Sequence, residues 1–206
     1  MSIKTTEYLI KSIFIGNTGT GKSSIIDRYI NNTFDTTSMP TIGVEFFCKL
    51  FCMGNTTIKL HIWDLAGGHN FKNIIRSYYR HARIVFFVFD KTNRASFLNF
   101  EAWIKSFEDR INEIQIVFIA NKCDLSYPMV TTEEALEVAN KYNAFYYETS
   151  AKNNINIKDI FEKTVKIVHD KIMNKHGGFH PNSFEKPNFL VTDDKNISNK
   201  TQSSCC

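Results

Sequence analysis

The sequence predicts an α/β protein built on a doubly wound, mostly parallel sheet of six strands with helices on both faces. Apolar runs of strand length alternate with helical patterns along most of the chain, an order that is typical of this fold class. Residues 84–90 (IVFFVFD) and 114–120 (IQIVFIA) are apolar at almost every position, as central parallel strands are. A glycine-rich turn follows the first strand, at the edge where such sheets bind ligands.

The order of elements supports this architecture. A first strand at 8–15 leads through the turn into a helix at 22–32. Strands at 45–52 and 57–63, separated by Met53-Gly54-Asn55, form a hairpin and supply the one antiparallel pairing. A helix at 71–81 precedes the strand at 84–90, and a helix at 96–111 precedes the strand at 114–120. A capping box of Thr131 and Glu134 then begins another helix. A strand at 144–150 and a helix with one apolar face at 155–175 complete the domain.

Length and composition indicate one folded domain followed by a tail. The chain has 206 residues, of which 43% are hydrophobic. Residues 1–176 carry the periodic patterns, whereas residues 177–206 are rich in Asn, Ser, Lys and Pro without periodicity, and we expect them to be disordered. The net charge of +4 without a dense Lys/Arg run argues against nucleic acid as a partner.

The cysteines favour a reducing compartment. There are five, an odd number, and no apolar leader opens the sequence, so we expect a cytosolic protein without a disulfide framework. Cys48 and Cys52 allow two interpretations, half of a metal site or two positions on one strand face. No second Cys/His pair follows at zinc spacing, which favours the strand face.

The loop after the first strand reads GNTGTGKS, residues 16–23. It fits the phosphate-binding pattern G-x-x-x-x-G-K-[ST]. Its glycines allow backbone N–H groups to turn toward a phosphate, and the following helix adds its positive end. Lys22 is expected to reach the outer phosphates, and Ser23 to bind Mg2+. An incidental glycine turn is the alternative, which the position between a strand and a helix disfavours.

Asp64 ends the third strand, in WDLAGG. A carboxylate at that edge lies across from Ser23 in this architecture and can support Mg2+, commonly through water. An Asp at the end of a strand can also be there only because Asp favours turns. The nearby phosphate loop favours the metal-binding interpretation of Asp64.

The loops after the last two strands predict a guanine site. In NKCD, Asp124 can accept hydrogen bonds from N1–H and the 2-amino group of guanine, a donor pair that adenine lacks. This disfavours a P-loop kinase or ATPase. Asn121 would tie the loops together, and the Lys122 stem would cover the base. In TSAK, Thr149 to Lys152, the Ala151 N–H can reach the guanine oxygen.

Together these motifs resemble the Ras-superfamily small GTPases, and within them the Rab family. The resemblance covers about residues 8–175. Rab-like segments are IGVEF (42–46), KLHIWD (59–64), YYRHA (78–82) and VFDKT (88–92), and the chain ends in Cys205-Cys206. Rab proteins commonly carry geranylgeranyl groups on such a pair, and two lipid chains give stable anchoring; a free thiol pair is the other interpretation.

The resemblance implies a P-loop GTPase (G) domain and several residue roles. Thr41 is expected to coordinate Mg2+ with Ser23 and Asp64 and to sense the γ-phosphate, Gly67 to contact that phosphate through its N–H, and Phe34 to pack on the base. The remaining contacts with GTP or GDP are expected from Gly16, Asn17, Thr18, Gly19, Thr20, Gly21, Lys22, Ser24, Asn121, Lys122, Asp124, Ser150, Ala151 and Lys152. The expected effector surface is Ile42, Gly43, Val44, Phe46, Trp63 and Tyr78, although core packing would also explain the aromatic residues.

The sequence departs from the family at the reacting end. The family usually reads WDTAGQE, where this chain has WDLAGGH. Gly68 therefore replaces the Gln that orients the attacking water. Leu65, His69 and Asn70 also differ from the family. In the phosphate loop, the side chain of Thr18 can crowd the reacting groups. We therefore expect slow intrinsic hydrolysis of GTP. Lys22 and Gly67 would contact the phosphates, but no side chain is certain to be catalytic. His69, the neighbour of Gly68, is a poor substitute for the Gln.

Two functions follow from the resemblance. One is a monomeric GTP/GDP switch in vesicle traffic, served by an exchange factor, a GTPase-activating protein, effectors and a prenyl-binding GDP-dissociation inhibitor. It would cycle between the cytosol and the cytoplasmic face of an intracellular membrane. The other is a constitutively GTP-bound, membrane-tethered module that binds effectors and essentially never hydrolyses GTP.

Overall fold

The computed structural model describes residues 6–37, 39–68 and 77–176. Six strands form one sheet in the order β2-β3-β1-β4-β5-β6. Only the β2–β3 pairing is antiparallel; the other four are parallel, which confirms the predicted fold class. The strands are β1 Thr6–Ile15, β2 Val44–Met53, β3 Thr56–Leu65, β4 Ile84–Asp90, β5 Gln115–Asn121 and β6 Phe145–Glu148.

Helices cover both faces of this sheet. One face packs its apolar side chains against α1 and α5, and the other against α2, α3 and α4. The two cores separate because successive strand residues point to opposite faces. The helices are α1 Lys22–Asn31, α2 Arg94–Leu98, α3 Phe100–Ile104, α4 Thr132–Lys141 and α5 Ile157–His176.

The single helix predicted at 96–111 is wrong. The segment forms two short helices, α2 and α3, joined at Asn99 and followed by a 3-10 helix, Glu108–Glu113. The buried side chains Phe97, Phe100 and Trp103 keep to one face across this break, so the apolar repeat that predicts a single helix gives no sign of the interruption at Asn99. The Asn93 side chain begins α2 by accepting from the Ser96 N–H.

The other boundaries agree closely with the sequence, apart from the last strand. β6 ends at Glu148, because Thr149 and Ser150 turn away and Ser150 pairs instead with Ile155. Thr131 caps α4 by accepting from the Glu134 N–H at 3.2 Å. Most of the helix predicted at 71–81, and the whole tail at 177–206, lie outside the described residues.

No helix in the described part of the chain combines the length and apolar character needed to cross a membrane. Cys48 and Cys52 are exposed on alternate positions of β2, as the strand-face interpretation predicted.

Phe161 anchors α5 to the sheet. Its ring is fully buried and stacks on Tyr29 of α1, with 3.9 Å between the ring centroids. Its centroid also lies 5.7 Å from that of Phe14 and 5.4 Å from that of Phe86.

We expect Phe161→Ala to lower the free energy of unfolding by about 3–5 kcal/mol, because it leaves a cavity at this junction. Urea denaturation measures this. The control Met173→Ala, on an exposed part of the same helix, should change it by about 0.5 kcal/mol or less. Equal stability of the two variants would contradict the anchoring role.

Candidate nucleotide-binding site

The phosphate loop connects β1 to α1 at the carboxyl edge of the sheet. Gly21 has φ 91°, and a Cβ built on it would lie 2.3 Å from the Asn121 amide nitrogen. Glycine is therefore required there by both backbone conformation and space. Helix α1 begins at the next residue, so its unpaired N–H groups face the loop.

Lys22 is almost completely buried behind this loop, with 5% of its surface exposed. Its ammonium donates to the carbonyls of Gly16 and Asn17, both at 3.1 Å. Burial lowers the pKa of Lys22 to about 8, and the charge of Asp64 opposes that shift. A desolvated ammonium group of this kind is suited to binding a highly charged anion such as a polyphosphate, whose negative charge would raise the pKa of Lys22 again.

Ser23, Thr41 and Asp64 come together from a helix, a loop and a strand. The Ser23 hydroxyl lies 2.7 Å from the Thr41 hydroxyl and donates a short hydrogen bond to Oδ2 of Asp64. Asp64 is fully buried, and its Oδ1 has no hydrogen-bond partner among the described residues. Burial raises the pKa of Asp64 to about 6, against the effects of the Ser23 hydrogen bond and Lys22.

This cluster fits the magnesium ion that the sequence analysis expected. Two hydroxyls and a carboxylate are the hard oxygen donors that Mg2+ prefers. The unpartnered carboxylate oxygen can still accept a ligand, and a divalent cation there would favour the charged form that burial disfavours.

The base-side loops meet around Asn121, whose side chain is 2% exposed. Its amide donates to the Thr20 carbonyl at 2.9 Å, and its oxygen accepts from the Thr149 hydroxyl at 3.1 Å and the Ala151 N–H at 3.4 Å. Asn121 thus ties the loops together. The Ala151 N–H, which we expected to face guanine, makes this long hydrogen bond and no other to the described residues.

Asp124 is oriented by Ser150, whose hydroxyl donates to Oδ1 at 2.6 Å. The second carboxylate oxygen keeps its acceptor capacity for a ligand. Lys122 has φ 64°, and its ammonium pairs with Asp90 at 2.7 Å, so its stem is held beside the base side of the site.

Two residues that hold the site were missed in the sequence. Asp90 ends β4, and an Asp at a strand end was the available signal. Arg28 of α1 donates to the carbonyls of Ala151 and Lys152 at 2.8 and 3.2 Å and lies 5.8 Å from the Phe34 ring. No local pattern indicates a contact across 123 residues.

A cavity of about 420 Å3 joins the phosphate end of the site, at Lys22 and Ser23, to its base end, at Asn121 and Asp124. Its walls include most of the residues expected to contact the nucleotide and also Asp35, Thr36, Met39, Pro40 and Leu125, which the sequence analysis had not included. The site residues that line it are Thr18, Gly19, Gly21, Lys22, Ser23, Ser24, Phe34, Thr41, Gly67, Asn121, Lys122, Asp124, Ala151 and Lys152.

Gly67 lies directly against the phosphate loop. A Cβ on it would lie 2.3 Å from the Thr18 nitrogen and 2.6 Å from the Gly16 oxygen, so no larger residue fits unless the loop moves. Gly68 follows it without a side chain. His69 and Asn70, the remaining departures at this position, lie outside the described residues.

The predicted effector surface is half exposed and half packed. Ile42 is 90% and Phe46 48% exposed. Trp63 lies between Phe46 and Tyr78, at 4.9 and 5.6 Å between ring centroids. Val44, Trp63 and Tyr78 also pack against the core, so core packing explains part of this aromatic cluster. The Gly43 carbonyl accepts from the Ala66 N–H at 3.0 Å, which joins the cluster to the cavity wall.

A phosphate loop, an oxygen-donor cluster and base-side loops at one edge of this sheet define the P-loop GTPase class. The profile of the Ras family matches residues 11–170. The chain is 40% identical over 173 residues to Ras-related protein Rab-1 of Theileria parva, covering 82% of this chain and 79% of that protein. It is 37% identical over 206 residues to Ras-related protein Rab-1 of Theileria annulata (98% and 94%), and 36% identical over 168 residues to Ras-related protein Rab-3 of Caenorhabditis elegans (81% and 77%). The chain therefore belongs to the Ras family, as a Rab GTPase.

Replacing Asp124 tests the base site. Asp124→Asn puts a donor where the carboxylate accepted from the 2-amino group, so guanine loses a hydrogen bond and meets an unfavourable donor pair. Xanthine, which has an oxygen at that position, fits the new pattern. We expect GDP affinity to fall at least about 100-fold, and xanthosine diphosphate to become the preferred ligand. Competition against a fluorescent nucleotide measures both, with Asp109→Asn, at an exposed position, as control. Unchanged guanine preference would rule Asp124 out as the reader of the base.

Proposed function

We propose that this chain is a membrane-traffic switch that binds Mg2+ with GTP or GDP in the cavity described above. One observation carries the proposal: Ser23 and Thr41 of the cluster with Asp64, and Asp124, which Ser150 orients, line the same cavity. The first suits a metal-bound phosphate, and the second suits guanine.

At the phosphate end, each residue has a distinct role. The Lys22 ammonium exchanges the carbonyls of Gly16 and Asn17 for phosphate oxygens. Ser23, Thr41 and Asp64 would hold Mg2+ through their hydroxyl and carboxylate oxygens. When bound, Mg2+ neutralises charge on the phosphate oxygens. The loop N–H groups and the α1 N-terminus stabilise the remaining negative charge.

Thr41 and Gly67 make the site a switch. Both border the phosphate end, one before β2 and one after β3. The γ-phosphate of GTP would order both segments, and its loss would release them. Effectors would distinguish the two states at Ile42, Gly43, Val44, Phe46, Trp63 and Tyr78. The expected regulators are an exchange factor, a GTPase-activating protein and a GDP-dissociation inhibitor that binds prenyl groups.

We further propose that residues 1–176 form the G domain and residues 177–206 a flexible tail that carries geranylgeranyl groups on Cys205 and Cys206. Two such chains support stable anchoring. The monomeric protein would then cycle between the cytosol and the cytoplasmic face of an intracellular membrane.

Intrinsic hydrolysis should be slow, because Gly68 cannot orient water. An activating protein that supplies the missing side chains would restore it. A constitutively GTP-bound module is the second candidate, favoured by the same glycine and by the side chain of Thr18, which lines the phosphate end of the cavity.

Single-turnover hydrolysis of bound GTP tests the role of position 68. We expect Gly68→Gln to raise the intrinsic rate at least about tenfold, as an added water-orienting amide should. The control Gly68→Ala adds a methyl group without an amide and should leave the rate low. If both variants match the wild type, something other than the missing amide limits the reaction. Strong acceleration of the wild type by an activating protein supports the switch, and none across a panel of such proteins supports the constitutive module.

A further inference from the structure

One corner of the sheet face that carries the effector surface remains exposed below the aromatic cluster. We call it the open corner. Directly opposite residues on neighbouring strands share a face, and the register gives two rows below the Phe46–Trp63 row. The rows are Cys48–His61–Lys11–Arg83 and Leu50–Lys59–Leu9.

The open corner combines exposed apolar side chains with cations. Leu9 and Leu50, at the two ends of one row, are 58% and 57% exposed. Cys48, at the β2 end of the other row, is also exposed. β2 is an edge strand, so the corner reaches the border of the sheet.

The positive charge of the corner is largely uncompensated. Lys59 pairs with Glu7 at 2.8 Å. Arg80 and Arg83 are exposed and have no ion-pair partner among the described residues. Lys11 of β1 is linked to both arginines. Its ammonium donates to the Arg80 carbonyl at 3.0 Å, and its carbonyl accepts from the Arg83 N–H at 2.8 Å. Burial and the charge of Arg110 lower the pKa of Lys11, as expected where cations cluster.

The corner is continuous with the aromatic cluster. The Lys11 ammonium lies 5.2 Å from the centre of the Trp63 ring, within reach of a cation–π interaction. The His61 ring meets Phe46 edge-on at 5.0 Å. A ligand that covers Phe46 and Trp63 and extends down the sheet therefore passes over Lys11 and between the two leucines.

We propose that the open corner docks an acidic, amphipathic segment of a protein partner. Its apolar side chains cover Leu9 and Leu50, and its carboxylates face Lys11, Arg80 and Arg83. This inference rests on the proposed function, because it assigns a chemical character to the effector. A second copy of this chain is a poor occupant, since symmetric pairing would place these cations against one another.

A peptide selection tests the proposal on the full chain loaded with a non-hydrolysable GTP analogue. The probe is a phage-displayed library of 20-residue helical peptides randomised on one face and both flanks. We expect the selected peptides to be rich in Glu and Asp beside an apolar stripe. Their binding should weaken as salt is added.

Charge reversal then locates the contact. Arg80→Glu with Arg83→Glu should weaken the best peptide at least tenfold. The matched control Lys105→Glu with Lys166→Glu reverses two exposed cations elsewhere and should change binding less than twofold. A peptide with its Glu residues changed to Lys should regain binding to the reversed protein. Leu50→Ser should weaken the original peptide more than Leu98→Ser, whose leucine is equally exposed at 60%.

The outcomes separate this inference from the proposed function. Peptides without acidic enrichment, or equal binding to the reversed protein, overturn the docking inference, while preference for the GTP form would still support the switch. Charge-dependent binding that is equal for the GTP and GDP forms supports docking and contradicts the switch. Vesicles of phosphatidylcholine with phosphatidylserine provide the last arm. If they bind through Arg80 and Arg83 and no acidic peptide does, the surface faces a membrane and the inference is wrong.

Discussion

The hydrogen bonds of one buried amide hold the loops of this site in register. Asn121 joins the phosphate loop at Thr20 to the last base-side loop at Thr149 and Ala151, and Gly21 must be glycine to admit its amide. Every partner is a backbone group or a buried hydroxyl, so removing Asn121 would leave several polar groups unpaired away from water. The phosphate and base ends of the cavity are therefore coupled through a single side chain, and a ligand that binds one end meets a preorganised other end.

The charges at the phosphate end complement this rigidity. Lys22 and Asp64 are both buried, and burial shifts the pKa of each toward the neutral form. An isolated pair of this kind is costly to keep charged. A phosphate beside Lys22 and a cation beside Asp64 would restore both charges. The site is thus arranged so that ligand and metal supply the interactions that the protein lacks.

Much of the fold followed from the sequence, because periodicity and glycine placement are local signals. The buried runs at 84–90 and 114–120, the hairpin at Gly54 and the Thr131 cap appear in the structure as the pattern indicated. The segment around Asn99 did not, because a three-residue apolar repeat in a 16-residue window resembles an amphipathic helix.

Within the site, motif residues were found readily. Arg28 and the Asp90–Lys122 pair were not, since each contact joins residues far apart in the chain. The open corner also required the strand register, which the sequence alone does not provide.

The most direct test of the central claim is equilibrium binding of GTP and ATP to the purified chain, with Mg2+ and with EDTA. If Asp124 reads guanine and Ser23, Thr41 and Asp64 hold the metal, GTP should bind at least about 10^4-fold more tightly than ATP, and EDTA should weaken GTP binding strongly. ATP binding as tight as GTP binding, or GTP binding that does not respond to EDTA, would contradict the assignment of this cavity.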